Sequence, residues 1–371
     1  MNRAYLYELL PNRKQKEQIN NTIGAARFLY NFYRAFRKAN YYFLGISVSK
    51  NKCYEIYNDH IKSGYSFLKE VDSLALANSE INLDRAFSNF YRDKKSGFPK
   101  FKCKHKAKLS YTTNNQKGSI RIIDNSHIKL PKLGIVKINL HRNIPLDFAI
   151  KSATITKTRK GKYIISILLY KEIEIKKIKP KNILGLDYSS SSLYVDSNGN
   201  VANHTKHYRI NESKLARETR KLSKCKLGSN NYKKQRARKN RIDEKVKNNR
   251  KDFLHKESRR LANFYDAIIV EDINLRNLSQ TLSLGKSTSD NGFGMFRFFL
   301  QYKLEELGKH FIKIDKFFPS SKTCSSCGYK KKKLSLGDRI FKCNNCNTII
   351  DRDYNAALNI RNEGIKILGL A

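Results

Sequence analysis

Acidic residues lie at the ends of two apolar segments of the chain, where they could take part in catalysis. Asp187 ends NILGLDY (182–188), and Glu271 with Asp272 ends AIIVEDI (267–273). Both segments are predicted to be buried strands. Alternation along a strand cannot choose between Glu271 and Asp272, because adjacent side chains point to opposite faces and both faces are apolar. One of the two is therefore expected to join Asp187.

A third acidic position lies in DRDYNAALNI (351–360), which is predicted to begin a helix. Asp351 and Asp353 are two positions apart, roughly 200° around a helix axis. One is expected to be the N-cap and the other to point inward. Three carboxylates from two strands and a helix are suitable ligands for two Mg²⁺ ions that clamp the attacking water and the leaving oxygen of a phosphodiester. The competing interpretation is three unrelated structural acids.

Four cysteines form two close pairs near the C-terminus. Cys324 and Cys327 are followed, after fifteen residues, by Cys343 and Cys346. Each C-x2-C pair can place two thiolates on one ion, and four sulfurs complete a closed tetrahedral shell. The spacing therefore predicts one structural Zn²⁺. The remaining cysteines, Cys53, Cys103 and Cys225, are isolated and are expected to be ordinary core or surface residues.

The charge of the chain indicates a polyanionic partner. Its 371 residues include 75 Lys and Arg against 32 Asp and Glu, a net charge of +43. Nucleic acid is the first candidate and an anionic membrane surface the second. No run approaches the roughly 20 apolar residues of a membrane span. The first residues show no export signal, so a cytoplasmic, multidomain protein with no membrane partner is expected.

The apolar patterns change along the chain. A strand at 3–9 is followed by helical periodicity at about 13–43, 53–64 and 74–92, and then by short strands between 118 and 171. A small barrel or sandwich that carries inserted helices fits this order. A basic helical hairpin is predicted at 211–264. The Ser- and Gly-rich segment 278–294 is predicted to be a loop, long enough to be a lid.

Several motifs resemble those of TnpB, the RNA-guided DNA endonucleases of bacterial insertion sequences and relatives of the type V CRISPR effectors. In chain order they are ARFLYNFY (26–33), LDRAFSNFY (83–91), GFPKFK (97–102), GLDYSSSSLYVDSNG (185–199), KLARETRKLSK (214–224), NNRKDFLHKES (248–258), IIVEDIN (268–274), FFPSSKTCSSCG (317–328) and DRDYNAALNI (351–360). One departure is Ser189, where many members have Gly. The likeness covers nearly the whole chain in the family's order.

The resemblance implies a multidomain α+β fold and a division of the chain. A wedge-like β-barrel would comprise 1–10 and 95–180, with a helical recognition bundle inserted at 11–94. A RuvC-like, RNase H-type α/β nuclease domain would comprise 181–318 and 350–371, interrupted by a zinc ribbon at 319–349. The family's order of acids is Asp, Glu, Asp, which selects Asp187, Glu271 and Asp353 as the catalytic ligands of two Mg²⁺ ions.

The same resemblance implies the partners. A guide RNA from the transposon end would pair with double-stranded target DNA beside a short motif that the protein reads. Asn78, Thr112 and Thr113 fall where the family reads that motif. Candidate phosphate contacts come from the basic segments 91–108 and 214–260, and they are Lys100, Lys102, Lys221, Lys224 and Arg236.

Two alternatives share parts of this pattern. A nuclease-inactive, RNA-guided DNA-binding repressor would lack one or more of the acids, and all three are present here. A strand-joining transposase with a related fold would place its Glu last, whereas the Glu of this chain comes second. The order of the acids therefore favours the nuclease.

Overall fold

The protein forms two compact units, Met1–Ile173 and Glu174–Ala371. The structure is a computed structural model, and it describes residues 1–93, 96–158, 160–202, 205–275, 277, 280, 285–335 and 337–370. Within these ranges, no helix has both the length and the hydropathy needed to cross a bilayer.

The first unit is built on a seven-stranded antiparallel sheet, with the strands in the order β2-β6-β7-β1-β5-β4-β3. β1 lies inside the sheet because it pairs with β7 on one side and β5 on the other. Tyr7 and Leu9 of β1 face the core, whereas Leu6 and Leu10 are exposed, so the strand follows a period of two. The strands are β1 (Asn2–Leu10), β2 (Leu109–Asn114), β3 (Arg121–Asp124), β4 (His127–Leu130), β5 (Gly134–Asn139), β6 (Ala149–Lys157) and β7 (Tyr163–Tyr170).

Helices occupy the chain between β1 and β2. The helix α1 (Arg13–Leu44) begins with a capping box in which Asn12 and Gln15 bond each other's backbone N–H. It is followed by α2 (Lys50–Ile56), a π-helical turn (Tyr57–Ile61), the short α3 (Lys62–Gly64), a 3-10 turn (Ser66–Leu68) and α4 (Ser73–Arg92). Residues of α1 and α4 share a core that includes Leu29, Tyr33 and Leu83.

The second unit contains a four-stranded sheet in the order β11-β10-β8-β9. Three strands, β8 (Ile183–Tyr188), β10 (Ala267–Glu271) and β11 (His310–Ile314), are parallel. β9 (Tyr194–Asp196) is antiparallel to β8. The predicted buried character of β10 is confirmed, because every residue from Ala267 to Val270 is fully buried.

The described helices of this unit follow β9 in the chain, and the cysteine segment lies between the last two of them. They are α5 (His207–Ser223), α6 (Asn230–Phe264), α7 (Gly285–Asn291), α8 (Phe293–Glu306) and α9 (Arg352–Ile367). A two-stranded sheet of β12 (Ile340–Lys342) and β13 (Ile349–Asp351) precedes α9. The segment 211–264, which was predicted to be a basic hairpin, is occupied by α5 and α6, and these two helices pack against each other.

The predicted loop at 278–294 is wrong over its second half. Residues 285–291 form α7, and α8 begins at Phe293. Buried polar contacts hold α7 in place: the Asp290 carboxylate accepts from the backbone N–H groups of Tyr208 and Arg209. Composition alone could not show these partners, which lie about 80 residues away in the chain. Most of 278–284 lies outside the described residues.

Candidate active site and cysteine cluster

The register of β8 and β10 places Asp187 beside Glu271. Ile269 pairs with Gly185 and Val270 with Leu186, so the next step of the same register brings Glu271 next to Asp187. Register partners in parallel strands project to the same face. Both acids therefore lie at the carboxyl ends of neighbouring parallel strands, the edge at which open sheets of this kind bind ligands.

The helix α9 covers the face of the sheet that carries these acids. A Cβ atom on Gly185 would be 2.3 Å from the Ala357 carbonyl oxygen, and one on Gly364 would be 2.1 Å from Ile269 Cγ1. Gly185 and Ile269 alternate with Asp187 and Glu271 and so share their face. Because Asp353 lies in the first turn of α9, the helix brings a third carboxylate to the same face.

The pKa of Asp187 responds to both of the other acids. Burial raises it well above the ordinary value of 3.8, and the negative charges of Asp353 and Glu271 raise it further. Arg352 acts in the opposite direction. Mutual repulsion of this kind is relieved when a divalent cation binds between carboxylates. The site is therefore electrostatically prepared for cations.

The other two acids are also shifted toward the protonated form. Burial raises the pKa of Glu271 to about 7. Burial and then the charge of Asp351 raise the pKa of Asp353, while Arg339 and Arg352 lower it. Arg339 reaches Asp353 only at 3.9 Å, with 76% of its own side chain exposed. This long ion pair leaves Asp353 available to another ligand.

Two neighbouring acids have structural partners instead. Asp272 is exposed, and its carboxylate pairs with Arg297 at 3.4 Å. Asp351 is the N-cap of α9 and accepts hydrogen bonds from the backbone N–H groups of Asp353 at 3.0 Å and Tyr354 at 2.9 Å. The question that strand alternation left open, between Glu271 and Asp272, therefore has a geometric answer in the sheet register.

In the described part of the chain, the four cysteines form the one group of potential metal ligands that lie close together, with donor atoms all within 4.8 Å of one another. The carboxylates of Asp187, Glu271 and Asp353 do not form a second such group among the described residues. The observation that connects these acids is the effect of Glu271 and Asp353 on the pKa of Asp187.

A cavity of about 340 Å³ opens beside Asp353. It gives solvent access to the acidic end of α9, as a site acting on a large substrate requires. Its walls come mostly from the serine segment after β8 and from the turn after β9. The lining residues are Ser189, Ser191, Ser192, Val195, Gly199, Val201, Asp351, Asp353 and Tyr354.

Two residues that the sequence analysis missed fix this serine segment. The Asn291 side-chain amide donates to the carbonyl oxygens of Ser189 at 2.9 Å and Ser190 at 3.1 Å. Lys206 Nζ donates to the Ser190 carbonyl at 2.8 Å and to Asn291 Oδ1 at 2.9 Å. Asn291 is fully buried. A buried Asn whose partners are distant in sequence leaves no sequence pattern by which it could be found.

The four predicted zinc ligands converge. Cys324 Sγ lies 3.7 Å from Cys346 Sγ, and Cys327 Sγ lies 3.6 Å from Cys343 Sγ. Four sulfurs at about 2.3 Å from a tetrahedral ion would be about 3.8 Å apart, so the cluster has the dimensions to hold zinc. The Thr348 hydroxyl bonds Cys346 and is the main cause of a lowered Cys346 pKa of about 6.

Two asparagines of α9 bind the cysteine segment directly. The side-chain amides of Asn355 and Asn359 both donate to the Thr323 carbonyl at 2.7 Å. Asn359 also donates to the Ser320 carbonyl at 2.7 Å, and Asn355 Oδ1 accepts from the Ser325 N–H at 2.9 Å. One helix therefore carries Asp353 and holds the first cysteine pair. The i, i+4 spacing of two Asn in an apolar helix was the available signal.

In the first unit, two of the residues that were predicted to read the short DNA motif lie in contact with each other. Asn78 Nδ2 donates to the Thr112 carbonyl at 3.1 Å, and both residues line a second cavity of about 340 Å³. Lys102 lines the same cavity, with its Nζ 3.6 Å from the Tyr30 ring centroid. Thr113 is different, because only 1% of it is exposed and strand alternation turns it away from the cavity.

The remaining predicted basic contacts are on the surface. Lys100 is exposed in the first unit, and Lys221, Lys224 and Arg236 are exposed on or beside the α5–α6 hairpin. Asn82, one turn after Asn78 on α4, also lines the cavity of the first unit and was missed. Its i, i+4 spacing from Asn78 was the signal.

Three known protein-family descriptions together match most of the chain. Residues 166–282 match the description "Probable transposase" of the OrfB_IS605 family, and residues 293–360 match "Cas12f1-like, TNB domain". Residues 1–43 match "Helix-turn-helix domain". That name does not describe the local structure, since these residues form the strand β1 and a single continuous helix.

Solved structures show the fold. The chain of a Cas12f1–sgRNA–target DNA complex superposes with a TM-score of 0.68 and 17% identity, over 95% of this chain and 84% of that one. The mini-RNA-guided endonuclease CRISPR-Cas_phi3 superposes with a TM-score of 0.58 and 9% identity, over 100% and 92% of the two chains. This chain therefore shares the fold of these compact proteins.

Relatives define the family within that fold. The "Putative RNA-guided DNA endonuclease" of Streptomyces pristinaespiralis is 30% identical over 98% of this chain and 89% of its own length. The "Putative RNA-guided DNA endonuclease InsQ" of Escherichia coli K12 is 27% identical over 98% of this chain and 93% of its own length. "TnpB-like protein L79" of Acanthamoeba polyphaga mimivirus is 29% identical over 45% of this chain and 32% of its own length. The chain belongs to the TnpB family.

Proposed function

We propose that this protein is an RNA-guided DNA endonuclease of an insertion sequence. The observation that carries the proposal is the position of Asp187, whose carboxylate interacts with both Glu271 and Asp353 at the end of parallel strands. The names of the two full-length relatives support the same activity. The chain retains all three acids, as a working nuclease of this kind needs.

Asp187, Glu271 and Asp353 would hold two Mg²⁺ ions. The ions would supply activation of water and neutralisation of charge on the phosphodiester, for an in-line displacement that would leave 5′-phosphate ends. The protein's own part is to hold three carboxylates in fixed positions: two on strands whose register is set by backbone pairing, and one on a helix fixed by close glycine contacts. The second unit is, in this proposal, a RuvC-like, RNase H-type domain.

The cysteine cluster would hold one structural Zn²⁺ in a ribbon at 319–349. Four thiolates leave no open position for substrate. The zinc would therefore act through structure, because Asn355 and Asn359 connect the first cysteine pair to the helix of Asp353. In the first unit, the seven-stranded sheet would be the wedge-like barrel at 1–10 and 95–180, with the recognition helices at 11–94.

Guide RNA from the transposon end and double-stranded target DNA would be the partners. Base pairing would supply most of the specificity, and the protein would read a short adjacent motif. Asn78 and Thr112 are proposed readers of that motif, since they meet at one cavity. Thr113 is left out of this role because its hydroxyl is buried. Exposed Lys100, Lys221, Lys224 and Arg236, with Lys102 in the cavity, would contact phosphates.

The test uses the full chain, expressed with RNA transcribed from the DNA directly 3′ of its gene. We expect Mg²⁺-dependent cleavage of a DNA library carrying the guide-matched sequence. Asp187→Ala should abolish cleavage while the copurifying RNA is retained. The control is Asp315→Asn, which changes an exposed acid directly after β11, the parallel strand that pairs with β10. Binding of target DNA by the parent without any cutting would support the repressor instead and overturn the nuclease.

A further inference from the structure

The C-terminal end of α1 carries a run of exposed apolar side chains. Tyr41, Tyr42, Phe43 and Leu44 are 68%, 77%, 77% and 64% exposed, and together they are called the helix-end patch. The last buried residue of α1 is Arg37. The helix therefore continues for seven residues, about 10 Å at 1.5 Å per residue, beyond its own core.

The rings of Tyr42 and Phe43 contact each other edge to face with centroids 5.1 Å apart, and the helix-end patch belongs to none of the hydrophobic clusters of the described residues. Scattered exposed apolar residues are normal, but a contiguous run of this kind marks a surface that another molecule covers. The helix ends in an ordinary way at Gly45, whose positive φ of 68° makes the left-handed cap. Capping needs no aromatic side chain, so the cap does not account for the aromatic run.

Two cationic side chains precede the patch on α1 and continue its surface along the helix. Lys38 is exposed one turn before Tyr42, and Arg34 lies one turn before Lys38, so the three share one helix face. The Arg34 guanidinium lies 4.2 Å from the centroid of the Phe101 ring, which is 58% exposed. Lys50, also exposed, begins α2 just after the patch. Cationic and aromatic side chains therefore occur together along this part of the surface.

We propose that the helix-end patch is a stacking surface for single-stranded RNA, with bases on Tyr42 and Phe43 and phosphates on Lys38 and Arg34. Aromatic rings together with cations are the chemistry by which proteins hold unpaired nucleotides without sequence preference. A second copy of the chain is disfavoured, because two molecules of net charge +43 repel each other. RNA carries the complementary charge.

The choice of RNA over single-stranded DNA rests on the proposed function. A guide RNA is held before any target arrives, so it is the partner that could cover these apolar side chains in the resting complex. DNA would cover them only during cleavage. A stably bound partner is the one that keeps a contiguous apolar surface out of water.

The binding test uses the full chain and a fluorescein-labelled oligoadenylate of about 12 nucleotides in about 0.3 M salt, where phosphate contacts are weakened. Tyr42→Ala with Phe43→Ala should weaken binding at least ~10-fold, since one stacked base is worth about 1–3 kcal/mol. Tyr42→Phe with Phe43→Tyr, which keeps both rings, should bind like the parent. Equal affinity of the alanine variant, or no binding by the parent, overturns the proposal.

A second readout reports stacking directly. The chain contains no tryptophan, so Tyr42→Trp introduces a unique fluorophore whose emission single-stranded RNA should quench. Leu146→Trp, at a fully exposed position elsewhere in the first unit, is the control and should not be quenched. Absence of quenching at position 42 contradicts the proposal even if the alanine variant were poorly folded.

Two further outcomes separate the competing explanations. A parent dimer that becomes monomeric in the alanine variant, with unchanged RNA affinity, assigns the patch to a second copy and overturns the proposal. Tighter binding of oligodeoxyadenylate than of oligoadenylate overturns the choice of RNA. The cleavage assay of Asp187→Ala is independent of these measurements, so a failure of the nuclease proposal is distinguishable from a failure of this one.

Discussion

Gly185 lies directly against Ala357: a Cβ atom on Gly185 would be 2.3 Å from the Ala357 carbonyl oxygen and 2.7 Å from the backbone nitrogen of Arg361. This contact sets the distance between β8 and α9. Because Asp187 lies two residues after Gly185 and Asp353 lies one turn before Ala357, the same contact brings the two carboxylates together. The absence of a side chain at Gly185 is thus a condition of the acidic site.

Gly185→Ala should therefore destabilise the second unit by about 3 kcal/mol, because backbone atoms of α9 must move away. Denaturant unfolding followed by circular dichroism measures this change. Gly24→Ala in α1 is the control: nothing lies within 4 Å of its Cβ position, and alanine is the better helix former by about 1 kcal/mol. A Gly185→Ala protein as stable as the parent would contradict the packing described here.

The two acids at the end of β10 should respond differently to substitution. Glu271→Gln keeps the shape of the side chain but removes a ligand charge, so we expect DNA cleavage to fall at least ~100-fold, a loss typical of catalytic groups. Asp272→Asn removes only an exposed partner of Arg297, and cleavage should stay within a few-fold of the parent. Rates in Mg²⁺ under single-turnover conditions provide the comparison. The reverse order of effects would assign the site to Asp272.

Asn359→Ala should weaken metal binding at the cysteine cluster, although Asn359 is not itself a metal ligand. The substitution removes the hydrogen bonds to the carbonyls of Ser320 and Thr323, so the first cysteine pair loses part of its support. Loss of such outer contacts typically costs 10- to 100-fold in metal affinity. Zinc transfer to a chromogenic chelator measures the change. Asn362→Ala, on the same helix with only a 3.5 Å contact from Arg361, should release zinc like the parent.

The seven thiols should fall into three classes of reactivity. Cys103 is exposed and Cys225 partly exposed, whereas Cys53 is buried. With zinc bound, Ellman's reagent should titrate these first two thiols. After removal of the metal, the four cysteines of the cluster should also react, which gives six reactive thiols. Cys53 should react only after unfolding. Six reactive thiols in the zinc-loaded protein would contradict a metal-bound cluster.

The first unit should lose stability as the pH rises toward neutrality. Burial raises the pKa of Glu80 to about 7 from 4.5, although Arg37 and Lys50 lower it and Asp84 raises it. The folded state therefore binds this proton more tightly than the unfolded chain. The stability that protonated Glu80 contributes is complete below pH 4.5 and is lost as the pH rises through about 7. The loss in the free energy of unfolding is about 3 kcal/mol, at 1.36 kcal/mol per unit of pKa difference.

Glu80→Gln should remove this part of the pH dependence, because glutamine does not titrate. The free energy of unfolding is measured at both ends of the range for parent and variant, and their difference isolates Glu80. Glu55→Gln is the control, since Glu55 forms an exposed pair with Lys52. A parent and Glu80→Gln variant with the same pH profile would show that Glu80 ionises normally.

Comparison of the predicted and observed elements shows where local pattern was sufficient. The helix predicted at about 13–43 is observed at Arg13–Leu44, because Asn12 caps it and apolar side chains recur at helical spacing. The strand β2 was missed because its polar sequence LSYTTN hides a period of two: Tyr111 and Thr113 are buried, while Thr112 faces the cavity. Its partner β6 is about 40 residues away.

The sequence alone determined the chemistry available to this protein: four thiolates at metal-binding spacing, acids at the ends of apolar segments and a large positive charge. These features follow from residue types and from the local period of the sequence, and neither depends on a contact with a distant residue. Local pattern left open what only the tertiary structure shows: the register places Glu271, which the family resemblance also selects, beside Asp187. The helix α9 brings Asp353 to the same face, and Asn355 and Asn359 connect this helix to the cysteine cluster. Those relationships depend on contacts between residues 30 to 170 positions apart, for which a local pattern carries no information.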